Sequence, residues 1–292
     1  MRGGKNMVLE KLKRYGELVM FSHTLFSLPF ALISMIWAAE GLPSAATIFW
    51  ILIALMGARN GANALNRIVD KDIDKKNPRT ASRHMPKGEV KNYEAFGIVL
   101  LCFSIFILAA YQLNPLCFML SPVALFLFVI YSYTKRFTWV CHIVLGITCA
   151  GAPVGAWLAV TGEFAIAPII LGAVVTLWVA GFDIIYATQD IEFDRKTGLY
   201  SIPAKFGLKG ALYISSLFHF ITILLLITLY FIMHLGLIYL FGILISASLL
   251  ALEHHIVSPS NEKKMKLASY NINQVVSVLI FIFTVLDFLY YS

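Results

Sequence analysis

Nine apolar runs of roughly 17 to 22 residues divide this chain, near 18–39, 46–66, 95–111, 116–133, 141–160, 167–188, 211–232, 236–256 and 270–290. Each is close to the ~20 residues a helix needs to cross the hydrocarbon core of a bilayer. A segment surrounded by lipid must satisfy its own backbone hydrogen bonds, and a helix does so internally. The expected architecture is therefore an all-α integral membrane bundle of about nine transmembrane helices, forming one domain over 1–292. Composition agrees: 59% of the residues are hydrophobic and 13% charged, too little charge for a soluble surface. The opening stretch "MRGGKNMVLEKLKRYGELVM" is basic and amphipathic, without a short apolar core and small-residue cleavage site. It reads as a retained surface segment leading into the first span.

The formal net charge of +7 fits orientation in a membrane better than a nucleic-acid partner. With the N-terminus inside, 22 of the 23 Lys and Arg fall before span 1 or in 67–91, 135–136, 195–209 and 263–266. The remaining one, Arg59, lies within span 2, and the outer connections "QLNP", "TGEFAIA" and "HLG" carry none. That partition places the chain in the cell's inner (cytoplasmic) membrane as a multi-pass protein, with the N-terminus on the cytoplasmic side and basic loops against lipid head groups. The four cysteines (Cys102, Cys117, Cys141, Cys149) lie inside apolar runs without metal-ligand spacing and read as small core residues.

Two inner loops, 67–94 and 189–210, stand out by length and acidity. Each begins with an Asp-rich stretch, "NRIVDKDID" at 66–74 and "DIIYATQDIEFD" at 183–194. A duplicated four-helix unit would account for the echo. Helix positions three and four apart share a face. Arg59, Asn63, Asn66, Asp70 and Asp74 follow that spacing, as do Asp183, Tyr186, Asp190 and Asp194. Each set forms a polar stripe that begins inside the hydrocarbon; Asp72 falls off the stripe. Carboxylates so close together, partly buried, either keep their protons or are balanced by a cation. Oxygen ligands without His or Cys favour a hard ion such as Mg²⁺. Ionisable residues at membrane depth are functional candidates, although solvated helix ends and surface ion pairs are the ordinary use of such a motif.

The two stretches resemble, in order, the N-x-x-x-D-x-x-x-D and D-x-x-Y-A-x-x-D-x-x-x-D motifs of the UbiA superfamily of intramembrane aromatic prenyltransferases. "RTASRHMPKGEV" at 79–90, "YSYTKRFT" at 131–138 and "SIPAKFG" at 201–207 also resemble family segments, so the likeness covers nearly the whole chain. The resemblance implies transfer of a polyprenyl chain from its diphosphate to an aromatic ring, with a cytoplasm-side active site. It implies Asn66, Asp70 and Asp74 as ligands of one Mg²⁺, and Asp190 and Asp194 as ligands of a second. A leaving diphosphate carries about three negative charges, which divalent ions and basic side chains must neutralise as they develop. Arg67, Arg83, Lys135 and Arg136 are the candidates for diphosphate contact. Asp183 is placed to accept the ring proton or to orient a phenolic hydroxyl, with Tyr186 one turn further on. Tyr131 and Tyr133 are candidates to shield an allylic cation with their ring faces. Arg59 has three open roles: an aromatic carboxylate, a phosphate, or a structural pair with a motif aspartate. The inner loops would cap the site against water, with Gly88, Gly198 and Gly207 supplying turns.

Span 1 departs from many 4-hydroxybenzoate enzymes of this family. It reads "MFSHTLFSLPFAL", with His23 and Thr24 where an arginine-containing pattern is usual. It resembles a branch of 4-hydroxybenzoate-like transferases whose acceptor is another quinone precursor, such as a naphthoate. His23 is then either an acceptor-site residue or a helix-start histidine at the interface. "RHMP" at 83–86 replaces the usual Arg-Pro-Leu-Pro order and puts the local loop geometry in question. Other members use haem, chlorophyllide or glycerol-ether acceptors. An ion-coupled transporter is the competing class. Against it, the acidic residues cluster at the inner ends of two helices, with no outer set and no broken helix at midplane.

Overall fold

The computed structural model describes residues 14–18 and 24–291. Among them every regular element is helical: α1 Thr24–Ala39, α2 Ala45–Lys76, α3 Asn92–Leu113, α4 Pro115–Thr134, α5 Cys141–Thr161 and α6 Ile166–Ala187. They continue with α7 Ile191–Thr197, α8 Ile202–Ile232, α9 Leu237–Ile256, α10 Glu262–Lys266 and α11 Asn273–Tyr291. Eight helices, or runs of adjoining helices, are long and apolar enough to cross a membrane. The first expected span appears as α1, 16 residues long, and the start of that run lies outside the described residues. Large apolar side chains such as Phe49, Leu101, Phe126, Phe220 and Phe241 are exposed, as a hydrocarbon solvent allows.

The chain divides into two compact units, one holding residues 48–133 and the other 25–47 with 134–291. In the first unit α2 runs for 32 residues, about 48 Å at 1.5 Å per residue. That exceeds a ~30 Å hydrocarbon core, so its polar last turns reach past the apolar run. The segment expected as loop 67–94 is accordingly helical as far as Lys76. Hydropathy falls at Asn66, but hydrogen bonding along the helix continues: Asn66 donates to Asp70 Oδ2 at 3.2 Å. Helices α2 and α3 meet through two glycines, four residues apart, in "GARNG". A Cβ on Gly57 would lie 2.8 Å from the Cys102 carbonyl oxygen, and one on Gly61 2.5 Å from the Phe103 ring. Small residues at this spacing let membrane helices approach closely. A single residue separates α3 from α4. Asn114 Oδ1 accepts the Cys117 N–H at 2.9 Å ahead of Pro115, a favourable first helical residue.

In the second unit Trp178 anchors an apolar core with Phe26, Phe30, Leu171, Leu226, Tyr239 and Val276. Polar groups inside it are matched. Asp287 accepts the Gly236 and Tyr239 N–H groups at 2.7 and 3.0 Å, closing the N-terminus of α9. Asn273 accepts from Trp178 Nε1 at 2.7 Å and donates to Glu253 at 3.0 Å. The expected turns at Gly88, Gly198 and Gly207 all have positive φ, between 70° and 75°. Gly207 interrupts α8, so the second inner segment is a short helix, a turn and a broken helix where a plain loop was expected.

Gly57→Ala should cost about 1–3 kcal/mol because backbone, not a flexible side chain, blocks the new methyl. Gly97→Ala, on α3 with nothing within 4 Å, should be neutral or stabilising by up to about 1 kcal/mol. Thermal unfolding of the two variants in detergent compares them; equal melting temperatures would deny the close α2–α3 contact.

Candidate active site

The acidic end of α2 gathers five of the expected residues. Asp70 and Asp74 are 3% and 4% exposed, although the segment is rich in charge. Arg83 Nη1 donates to both oxygens of Asp74 at 2.8 Å, and Arg67 Nη1 stands 3.8 Å from Asp74 Oδ2. The turn after α2 makes this reach possible. Asn77 N–H donates to the Ile73 carbonyl and Arg83 N–H to Thr80, while the Thr80 hydroxyl donates to the Asp74 carbonyl at 3.1 Å. The chain thus folds back on its own helix end and returns Arg83 to a carboxylate nine residues earlier. The "RHMP" stretch has a defined geometry: Met85 is buried with Leu18, Val90 and Ala95. His84 bridges Glu17 and Glu89 at 2.7 and 2.6 Å, and that bond holds the Glu89 carboxyl below its usual range.

Two carboxylates against two guanidiniums leave the α2 cluster close to neutral. Among the described residues no three His, Cys, Asp or Glu come together as a ready metal site. A cation here would take two carboxylates and the Asn66 amide oxygen, then complete its shell with water or phosphate oxygens. That donor set fits Mg²⁺, which keeps waters and bridges to phosphate. Each carboxylate offers about four lone-pair sites, so the Arg83 contact leaves Asp74 able to accept further. Asp74 and Arg83, expected to serve metal and diphosphate separately, are in direct contact with each other.

Other expected residues are distributed around this cluster. Arg59 lies two turns before Asn66, about 10 Å along α2, and is half-buried. Tyr131 and Tyr133 are about 200° apart around α4, so they do not share a face. Tyr133 is 42% exposed, while Tyr131 is half-buried and within electrostatic range of Arg67. His23 lies outside the described residues.

In the second unit the expected stripe is not one continuous α-helix. Helix α6 ends at Ala187, and Thr188–Asp190 form a 3₁₀ turn before α7. The Thr188 hydroxyl donates to the Ile185 carbonyl at 2.6 Å and helps close the helix there. Tyr186 is 38% exposed. Asp194 accepts the Ser201 hydroxyl at 2.8 Å, and the same Ser201 oxygen caps α8 by accepting the Ala204 N–H at 3.1 Å. This gives "SIPAKFG" a physical role: it ties the second acidic motif to the start of α8. Asp190 and Lys135 lie within electrostatic range of Asp194, and Arg136 is half-buried beside Lys135. Asp183 accepts a hydrogen bond from His142 Nδ1 at 2.7 Å. Sequence reasoning passed over His142. A histidine opening a membrane helix was the available signal, but nothing in the sequence pairs it with a residue 41 positions later.

Arg83→Ala should lower stability by on the order of 1–3 kcal/mol, since Asp74 would keep only the longer Arg67 contact. Arg83→Ala combined with Asp74→Asn should cost less than the sum of the two single changes. Additive costs in thermal unfolding would contradict the pairing.

Comparison with known proteins gives the family. The model of the UbiA prenyltransferase family matches residues 27–283. A 4-hydroxybenzoate octaprenyltransferase of Vibrio campbellii (strain ATCC BAA-1116) is 30% identical over 280 residues, covering 94% of this chain and 98% of that protein. Among solved structures, the apo form of a UbiA homolog from Aeropyrum pernix K1 superposes with a TM-score of 0.83 at 34% identity, over 91% of this chain and 98% of that one. A UbiA homolog from Archaeoglobus fulgidus bound to GPP and Mg²⁺ shares the fold at a TM-score of 0.67 and 20% identity, over 94% and 99%. With a family match over residues 27–283, a shared helical fold and near full-length coverage, this chain belongs to the UbiA prenyltransferase family and is a multi-pass membrane prenyltransferase.

Proposed function

We propose that this enzyme transfers a polyprenyl chain from polyprenyl diphosphate to an aromatic quinone precursor, 4-hydroxybenzoate or a hydroxynaphthoate, with magnesium as cofactor. The observation carrying the reading is the α2 cluster of half-buried Asn66 with buried Asp70 and Asp74, flanked by Arg67 and Arg83. Supporting it are the named activity of the Vibrio relative and the Mg²⁺ and GPP held by the Archaeoglobus neighbour. Asn66, Asp70 and Asp74 would hold one Mg²⁺, and Asp190 and Asp194 a second. When bound, these ions would neutralise charge on the departing diphosphate.

The chain's own residues do the rest. Arg67 and Arg83, with Lys135 and Arg136, offer N–H donors to phosphate oxygens and stabilise the charge that grows there as the allylic carbon–oxygen bond breaks. The half-buried Tyr131 ring is the better-placed of the two tyrosines to shield the electron-poor allylic carbon. Asp183 takes the proton from the acceptor ring carbon after the new carbon–carbon bond forms, with Tyr186 nearby on α6. Arg59 and His23 are candidates for the acceptor, with a phosphate or a motif aspartate as the other partners open to Arg59. The Lys and Arg partition supports an inner-membrane protein with its N-terminus and active site toward the cytoplasm, acting as one domain over 1–292.

Membranes containing the protein, supplied with labelled geranyl diphosphate, Mg²⁺ and a panel of hydroxybenzoates and hydroxynaphthoates, test the proposal. Product should form with at least one acceptor of the panel. Asp70→Ala and Asp190→Ala should each lower turnover about a hundredfold or more while folded protein persists, and excess chelator should do the same. Turnover surviving in either variant or in chelator would remove the metal assignment. Product with a glycerol-ether or haem acceptor instead would move the chain to another branch.

A further inference from the structure

We infer that His142 is the positioning residue that holds Asp183 in its reactive orientation. This inference rests on the proposed role of Asp183 as acceptor of the ring proton.

His142 is buried in the first turn of α5, and its Nδ1 lies 2.7 Å from Asp183 Oδ2. The other ring nitrogen, Nε2, is buried and has no hydrogen-bond partner among the described residues. Among the described residues Asp183 is the carboxylate that meets the ring, with the Cys141 side chain also in range. The Asp183 side chain is 29% exposed, and its second oxygen makes no hydrogen bond among the described residues. One oxygen is thus tied to a buried ring while the other stays open to a reacting atom. With Asp183 ionised, Oδ2 can only accept, so Nδ1 carries the hydrogen whether the ring is neutral or charged. A ring packed inside the unit fixes the carboxylate plane.

Packing explains how so short a pair of side chains can meet. Helices α5 and α6 run side by side along a seam of small residues. One turn after His142, Gly146 lies directly against the Thr176 backbone, with no room for a Cβ. Further along, a Cβ on Gly172 would lie 3.6 Å from that of Ala150. His142 stands four residues before Gly146, and Asp183 seven after Thr176, so each lies on its helix's contact face. The glycine notch that brings the helices together also brings the imidazole within reach of the carboxylate.

The donor carbon–oxygen bond breaks and diphosphate leaves with its electron pair. A ring carbon of the acceptor bonds to the allylic carbon. The proton on that ring carbon passes to the free oxygen of Asp183, and its bonding pair restores the ring. His142 touches neither substrate in this sequence; it sets where the accepting oxygen points.

The test uses full-length protein in detergent, geranyl diphosphate, Mg²⁺ and the best acceptor of the panel. His142→Leu, which lacks a donor, should lower kcat about tenfold to a hundredfold with the KM for geranyl diphosphate unchanged within about twofold. His142→Asn, which keeps an N–H close to the Nδ1 position, should stay within about threefold of the parent kcat. In an Asp183→Asn background, His142→Leu should produce no further loss. Wild-type kcat in His142→Leu, equal losses in kcat and donor affinity, or additive losses in the double variant would overturn the inference. Should His142→Leu not fold, the folded His142→Asn protein decides alone: a tenfold loss there overturns it. Full kcat in Asp183→Asn would instead sink the proton-acceptor role itself, whatever His142 does.

Discussion

A carboxylate placed in or beside a lipid-embedded helix must be balanced, because neither hydrocarbon nor a packed interior solvates its charge. Much of the polar architecture here answers that requirement. Asp74 is met by Arg83 and Arg67, Asp70 by the Asn66 amide, Asp183 by His142, Asp194 by Ser201, and Asp287 by two backbone N–H groups at a helix start. The partners differ in kind. Asp287 accepts from backbone alone, a fixed structural arrangement. Asp74 is instead met by the long guanidinium side chains of Arg83 and Arg67, which can turn toward an anionic ligand.

Glycine does the complementary work of bringing helices close enough for short polar side chains to meet. Gly57 and Gly61 set α2 against α3 in the unit that carries the first acidic stripe. Gly146 and Gly172 set α5 against α6 beside Asp183, and Gly181 lies against the His219 ring of α8. Each notch lies within a few turns of a buried polar group. In lipid, where apolar side chains gain little from meeting each other, close backbone approach supplies the dispersion contact that helix pairs need. The polar pairs then sit in positions fixed by that packing.

The fold class was legible because the lipid requirement is written as run length, and the runs at 95–111 and 236–256 match α3 and α9 within a few residues. The α2 stripe was legible because the helix keeps its 3.6-residue period beyond the apolar run, putting Asp70 and Asp74 on one face. The second stripe was read as equally regular, and the 3₁₀ turn at Thr188 was missed because local bonds of Thr188 to the Ile185 and Tyr186 carbonyls, which no residue spacing encodes, accompany it. Met85 seemed a departure from the family loop, yet it is a buried anchor; a methionine adapts to an irregular gap. His142 escaped notice because pairs across a helix seam depend on which helices are neighbours, and no local period encodes that. Gly57 and Gly61 were visible as a four-residue spacing in the sequence, but were passed over beside the charges of the same helix.

The proposed function stands on magnesium supporting capture of the donor's diphosphate. Equilibrium binding of a non-reacting thio analogue of geranyl diphosphate to the purified protein, with Mg²⁺ and again in excess chelator, tests this most directly. The account predicts binding at least about tenfold tighter with the ion, with that advantage lost when Asp70 or Asp190 becomes alanine. Equal affinity in the two conditions, or a full magnesium effect in both variants, would contradict it.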